Sequence, residues 1–161
     1  MDMPAAGRAL RADNLKALRM IFGIARAYGL RTFIQHYVGH MPEKPAELIG
    51  AKATGLEQTR MANIAHPLVE DYSRYIYRRT FEILPELSGL YFNFESSNNA
   101  ADFVRDCAYA AFRGMKRRPD IVYRLWDFAV LPEMVKLVKL YWRWGGRVTL
   151  GHKVMDRSDA Y

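Results

Sequence analysis

The chain has 161 residues, half of them hydrophobic and a quarter charged, which suits one globular domain with a real core and excludes a disordered polymer. Net charge is +7, yet the basic residues are scattered from Arg8 and Arg11 to "RGMKRRPD", with no zinc-finger spacing, RNA-recognition signature or basic tail, so no nucleic-acid partner is expected. No run approaches the ~20 apolar residues of a membrane span, and Cys107, the single cysteine, excludes an intrachain disulfide.

The N-terminus "MDMPAAGRALRADNLKAL" lacks a basic segment followed by an apolar one, so no secretory signal is read there, and the compartment stays open. Asn14 can cap a helix through "LKALRMIFGIARAY", with Leu15, Leu18, Ile21, Phe22 and Ala25 on one face and Gly29 as its stop. "RTFIQHYVGH" reads as a strand. A looser stretch with two prolines and two glycines follows, long enough for a functional loop. Pro67 opens the helix "LVEDYSRYIYRRTFEIL", closed by Pro85 and Gly89, and "GLYFNFE" is the next strand. Asn98 or Asn99 caps "AADFVRDCAYAAFRGMKRR", which Pro119 breaks. "DIVYRLWDF" is a strand, Pro132 starts "EMVKLVKLYWRW", Gly145 and Gly146 end it, and "RVTLGHKVMD" is the last strand.

Helices and strands therefore alternate. That order argues βαβ units and a parallel sheet. The strands read as continuously apolar, as strands covered on both faces do. Neither "GxGxxG" nor "GxxxxGK[ST]" is present, so no nucleotide cofactor is expected. A doubly wound sheet and a barrel both remain. Each strand ends in chemically able residues: Gln35, His36 and His40; Asn93 and Glu95; Arg124, Trp126 and Asp127; His152, Lys153 and Asp156. In both architectures ligands gather at such ends. Four strands equipped this way favour a barrel rim. The fold class expected is α/β, with parallel βα repeats forming a partial (β/α)8 TIM barrel of about four strands and four helices. Residues 1–161 are read as a single partial barrel domain, a slice from the middle of a longer one.

From Pro67 onward the landmarks come in a specific order. "HPLVEDYSRYIYRRTFEILPELSGLYFNFESSNNAADFVRDCAYAAF" is followed by "DIVYRLWDF" and then "GGRVTLGHKVMDRSDAY". This resembles the middle of the catalytic barrel of the α-glucuronidases, glycoside hydrolase family 67. The resemblance implies that Glu95 is the general acid. It also implies that Arg124 and Lys153 hold a sugar carboxylate, and that a carboxylate shortly after the lysine is the base. Asp156 and Asp159 lie near that place, and neither spacing matches cleanly. The chain departs from the family where Tyr91 replaces a lysine, and where "SSNN" replaces a glycine-rich continuation.

The groups themselves allow this chemistry. Glycoside cleavage needs an acid for the leaving oxygen and a carboxylate opposite. A glutamate at the end of an apolar strand, walled by Phe92, Phe94 and Trp126, is raised in pKa by desolvation. The plainer reading makes Glu95 a solvated strand end. Asp156 and Asp159 are the candidate bases or, equally, turn residues. Arg124 and Lys153 each pair with a substrate carboxylate or a protein one, and Trp126 stacks on a sugar or fills the core. Asn93, Asp127 and His36 complete the expected substrate-binding set. His36 and His40 have no clustered third ligand, so no metal is expected. The expected activity is hydrolysis of a glycosidic bond in a uronic-acid-bearing polysaccharide. One alternative is a Schiff-base aldolase on Lys153. Another is a non-catalytic carbohydrate-binding fragment whose open sheet edges pair with a second copy or with a missing half.

Overall fold

The computed structural model describes residues 5–37, 43–50, 53–54, 61–62, 66–93, 100–125 and 131–152. The elements are α1 (Ala5–Ala27), β1 (Phe33–Tyr37), α2 (Glu43–Leu48), β2 (Ala53–Thr54), β3 (Met61–Ala62), α3 (Pro67–Ile83) and β4 (Gly89–Asn93). A helix over residues 100–112 follows, α-helical at α4 (Ala100–Phe103) and α5 (Ala110–Phe112) and wound as a π-helix at Val104–Tyr109 between them. Then come β5 (Asp120–Leu125), α6 (Leu131–Arg143) and β6 (Val148–His152).

The long strands form one four-stranded sheet in the order β1-β4-β5-β6, and every pair is parallel. Each long strand thus lies beside the next one in the chain, with a helix in every connection. The loose stretch holds the short α2 and the antiparallel bridge between β2 and β3.

Local sequence explains most of these elements. Along α3 the buried residues are Val69, Ser73, Tyr77 and Phe81, one stripe at every fourth position. His66 is its N-cap, accepting the Leu68 N–H at Nδ1 (3.3 Å), with Pro67 in the first turn where no N–H is needed. On α6 the buried set is Met134, Leu137, Val138 and Tyr141. Gly29 ends α1 with φ +73, as expected from its position. The start of α1 differs: it begins at Ala5 and runs through Asn14, which caps nothing. Ala5, Ala6, Ala9 and Ala12 favour helix, no proline follows within it, and Gly7 does not break it. The 100–112 helix also ends earlier than Pro119, turning at Gly114.

The register assigns each strand residue to a face. Ile34, Leu90, Ile121 and Val148 form one lateral row, and His36, Phe92, Tyr123 and Leu150 another. These rows meet the helices: Tyr77 of α3 lies edge-on to Phe92 at 5.7 Å, and Phe92 stacks on Tyr123 at 6.0 Å. Helix residues Phe103, Val104, Cys107, Tyr109, Phe112, Met134 and Tyr141 complete this core. The opposite face carries Gln35, Tyr91, Val122 and Thr149 in one row. Gln35 and Thr149 are exposed, and Tyr91 and Val122 half-buried. The expectation that both faces are covered is therefore corrected: among the described residues one face is packed and the other is largely open.

The N-terminal end of the open face is closed by charge. Asp120 is buried and accepts from Arg147 (2.9 and 3.2 Å) while Arg31 approaches to 2.7 Å. Gly89, its register partner, has no room for a side chain: a Cβ there would lie 1.8 Å from the Asp120 carbonyl oxygen.

Candidate functional site

In a parallel sheet every strand delivers its last residues to the same edge. The final row of the open face here is Tyr37, Asn93, Arg124 and Gly151, register partners across all four strands. Asn93 and Arg124 thus stand side by side where the sequence expects chemistry.

Asn93 is the unusual member. It is 1% exposed, yet neither its Oδ1 nor its Nδ2 has a hydrogen-bond partner. An orphaned buried amide costs about 1–3 kcal/mol, so most proteins avoid one. An amide presents both an acceptor and a donor, which matches a hydroxyl group of a ligand as readily as an internal water. Arg124, half-buried on the next strand, has an interaction of its own and brings positive charge beside it.

Tyr91 shares the face with Asn93, two positions earlier. Its hydroxyl reaches across β5 to β6, 3.9 Å from where a Cβ on Gly151 would stand. Reading Tyr91 only as a lost lysine misses this. The strand period was the available signal, because it places Tyr91 and Asn93 on one face.

His36 does not join this row. It lies on the helix side, edge-on to Tyr77 (5.2 Å) and Phe92 (6.1 Å). His36, expected to bind substrate, is thus placed on the face opposite Asn93 and Arg124, because a one-residue step along a strand turns the side chain to the other face. Glu95, Asp156, Asp159, Lys153, Trp126, Asp127 and His40, together with the capping residues Asn98 and Asn99, lie outside the described residues.

Elsewhere, two adjoining depressions of about 480 and 300 Å³ lie on the helix side, sharing Arg78, Gly114 and Met115. Their arginines are engaged: Arg74 with Glu70 and Asp71 and with the Asp106 carbonyl (2.9 Å), Arg78 with Glu82, and Arg117 with the Leu87 carbonyl. The Asp106 contact lies within the π-wound segment. Cys107 is fully buried, and burial pushes its thiol up to about 12, which leaves it a poor nucleophile. Among the described residues no group of three His, Cys, Asp or Glu side chains is placed to hold a metal ion, and no helix is long and apolar enough to cross a membrane.

No family model matches the chain, and neither a curated protein nor a solved structure matches it.

Proposed function

We propose that the chain belongs to a (β/α)8 barrel that hydrolyses glycosidic bonds of a uronic-acid-bearing polysaccharide, with Glu95 as general acid. The observation that carries this reading is the Asn93 amide, buried and unpartnered beside Arg124 at the C-terminal edge of a parallel sheet. Ligands of such sheets bind at that edge. The consecutive strand order also supports a barrel, because a doubly wound sheet reverses its order at a switch point and none occurs among the described strands.

Glu95 follows Asn93 by two positions, the spacing of same-face residues on a strand. In this reading Asn93 bonds a sugar hydroxyl and Arg124 faces the uronate carboxylate. Glu95 donates its proton to the leaving glycosidic oxygen. Asp156 or Asp159 receives a proton from the attacking water, or attacks directly, according to the carboxyl separation.

The test is release of free uronic acid from a uronic-acid-bearing oligosaccharide. Glu95→Gln is expected to lower the rate by about 10²–10⁴-fold and to leave binding intact. Unchanged turnover in that variant removes Glu95 as the acid. Binding without turnover in the unaltered chain removes the hydrolase reading and leaves a carbohydrate-binding module.

A further inference from the structure

Among the described residues two strand positions are glycine, Gly89 on β4 and Gly151 on β6. A glycine inside a strand weakens it, and it persists where the strand bulges or bends, or where another backbone or a ligand comes close. Gly89 has the Asp120 backbone against it. Gly151 has no such neighbour. Its φ lies outside the left-handed region. Pairing with β5 runs through it in unbroken register, from Val148 to His152, so no bulge occurs there. A Cβ on it would stand 3.6 Å from the Tyr123 carbonyl oxygen and 3.9 Å from the Tyr91 hydroxyl, both ordinary contacts. An alanine would therefore fit, and the packing of the described residues gives no reason for its absence. Of the reasons for a strand glycine, a ligand remains.

The place of Gly151 in the sheet says what kind of ligand. It shares the terminal row of the open face with Asn93 and Arg124. Arg124 lies next to it and Asn93 two strands away, about 10 Å at the usual strand spacing. The Tyr91 phenol runs diagonally over β5: it starts level with Val122 and Thr149, and its hydroxyl comes level with Gly151. The ring packs as a phenylalanine would; the oxygen adds a donor and an acceptor beside the bare end of the row. At the other end stands the Asn93 amide, buried with both polar atoms unpartnered. Protein packed over this row would have to satisfy that amide, since buried amides in finished interiors are hydrogen-bonded.

We infer that Gly151 is the specificity-determining position of this site. The space over it seats one side of a single uronate ring, where the Tyr91 hydroxyl bonds a ring hydroxyl. The Asn93 amide bonds a hydroxyl on the opposite side, and the carboxylate lies toward Arg124. A side chain at 151 takes up that space, so this residue sets the width of ring that the row accepts. The inference rests on the reading of this edge as a uronate site and does not depend on hydrolysis.

The experiment is calorimetric titration of the 161-residue chain with free glucuronic acid and with glucose, beside a thermal melt of each variant. The unaltered chain should prefer glucuronic acid. Gly151→Ala should melt at or above the temperature of the unaltered chain, because a strand gains from a side chain where one fits. Gly151→Val should bind glucuronic acid ~10-fold more weakly or worse, through crowding. Tyr91→Phe should keep its melting temperature and lose about 5-fold in affinity, one hydrogen bond's worth. A lower melting temperature in Gly151→Ala makes the glycine structural and overturns the inference. Unchanged affinity in Gly151→Val overturns it equally, as does unchanged affinity in Tyr91→Phe or an unaltered chain that binds neither sugar. Release of uronic acid from the oligosaccharide is read separately. Binding that these residues govern, without turnover, removes the hydrolase reading and leaves the inference standing. Turnover that Gly151→Val leaves untouched does the reverse.

Discussion

The hydroxyl of Tyr109 lies 2.5 Å from that of Tyr123, and Tyr109 also donates to the Leu137 carbonyl at 3.0 Å. One phenol thus joins the 100–112 helix, β5 and α6 through the middle of the core. Tyr77, packed against the same Phe92 as Tyr123, has a buried hydroxyl with no partner. The two tyrosines should respond oppositely to loss of oxygen. Tyr109→Phe removes two buried hydrogen bonds and should cost about 1–3 kcal/mol. Tyr77→Phe removes an unmet polar group and should be neutral or stabilising by up to ~1 kcal/mol. Urea unfolding of both variants checks this, and a destabilised Tyr77→Phe would mean that its hydroxyl bonds to a water.

Gly89→Ala should disrupt the sheet. Its Cβ would meet the backbone of Asp120, which cannot yield without parting β4 from β5. The expected loss is above ~3 kcal/mol, at the severe end for a point change. Gly114→Ala is the control, because a Cβ there meets nothing within 4 Å. Thermal melts of the two variants should differ widely.

Asn93→Leu should separate stability from recognition. Removing an unpartnered buried amide relieves its desolvation cost, which the larger leucine offsets in part by crowding, so the fold is expected to change by no more than about 1 kcal/mol while sugar binding is abolished. Calorimetric titration with the uronic-acid-bearing oligosaccharide, run beside the melt, reads both. A variant that binds normally would make Asn93 a structural residue only.

The protein should unfold in alkali. Burial raises the pKa of Tyr77, Tyr109, Tyr123 and Tyr141 above the ordinary phenol value and lifts the Cys107 thiol to about 12. The native state keeps these protons after the unfolded chain has released them. Their contribution is full below the ordinary thiol and phenol range, about 8.5–10. It is lost as pH climbs through the raised native values. Tyrosinate absorbance should therefore rise in two stages, exposed phenols first and the buried set together with loss of helix. A single smooth titration with helix retained would contradict this.

Much of the fold was legible because it rests on short-range rules. The buried stripe of α3 is written every fourth residue, Pro67 and Gly29 mark ends that chain geometry enforces, and the alternation of helix and strand implies parallel pairing. Asn14 misled because its capping preference is weaker than the helix-favouring residues on both sides of it, alanines before and Leu15, Lys16, Ala17 and Leu18 after. The apolar look of the strands suggested two covered faces. Exposure of Gln35 and Thr149 depends on what packs above them, which no local pattern encodes.

The sequence by itself determined that four long strands alternate with helices and that those strands run parallel, while the short α2 and the β2–β3 bridge were not legible in it. The alternation and the parallel pairing follow from periodicity and from the short reach of a connecting helix. Only the tertiary structure decided the lateral register, and with it the facing of each side chain. Register pairs Asn93 with Arg124 and turns His36 into the aromatic core, because neighbouring residues on a strand point to opposite sides. It also left the Asn93 amide without a partner, since hydrogen bonding depends on groups brought close by packing and not on the residues next to it in the chain.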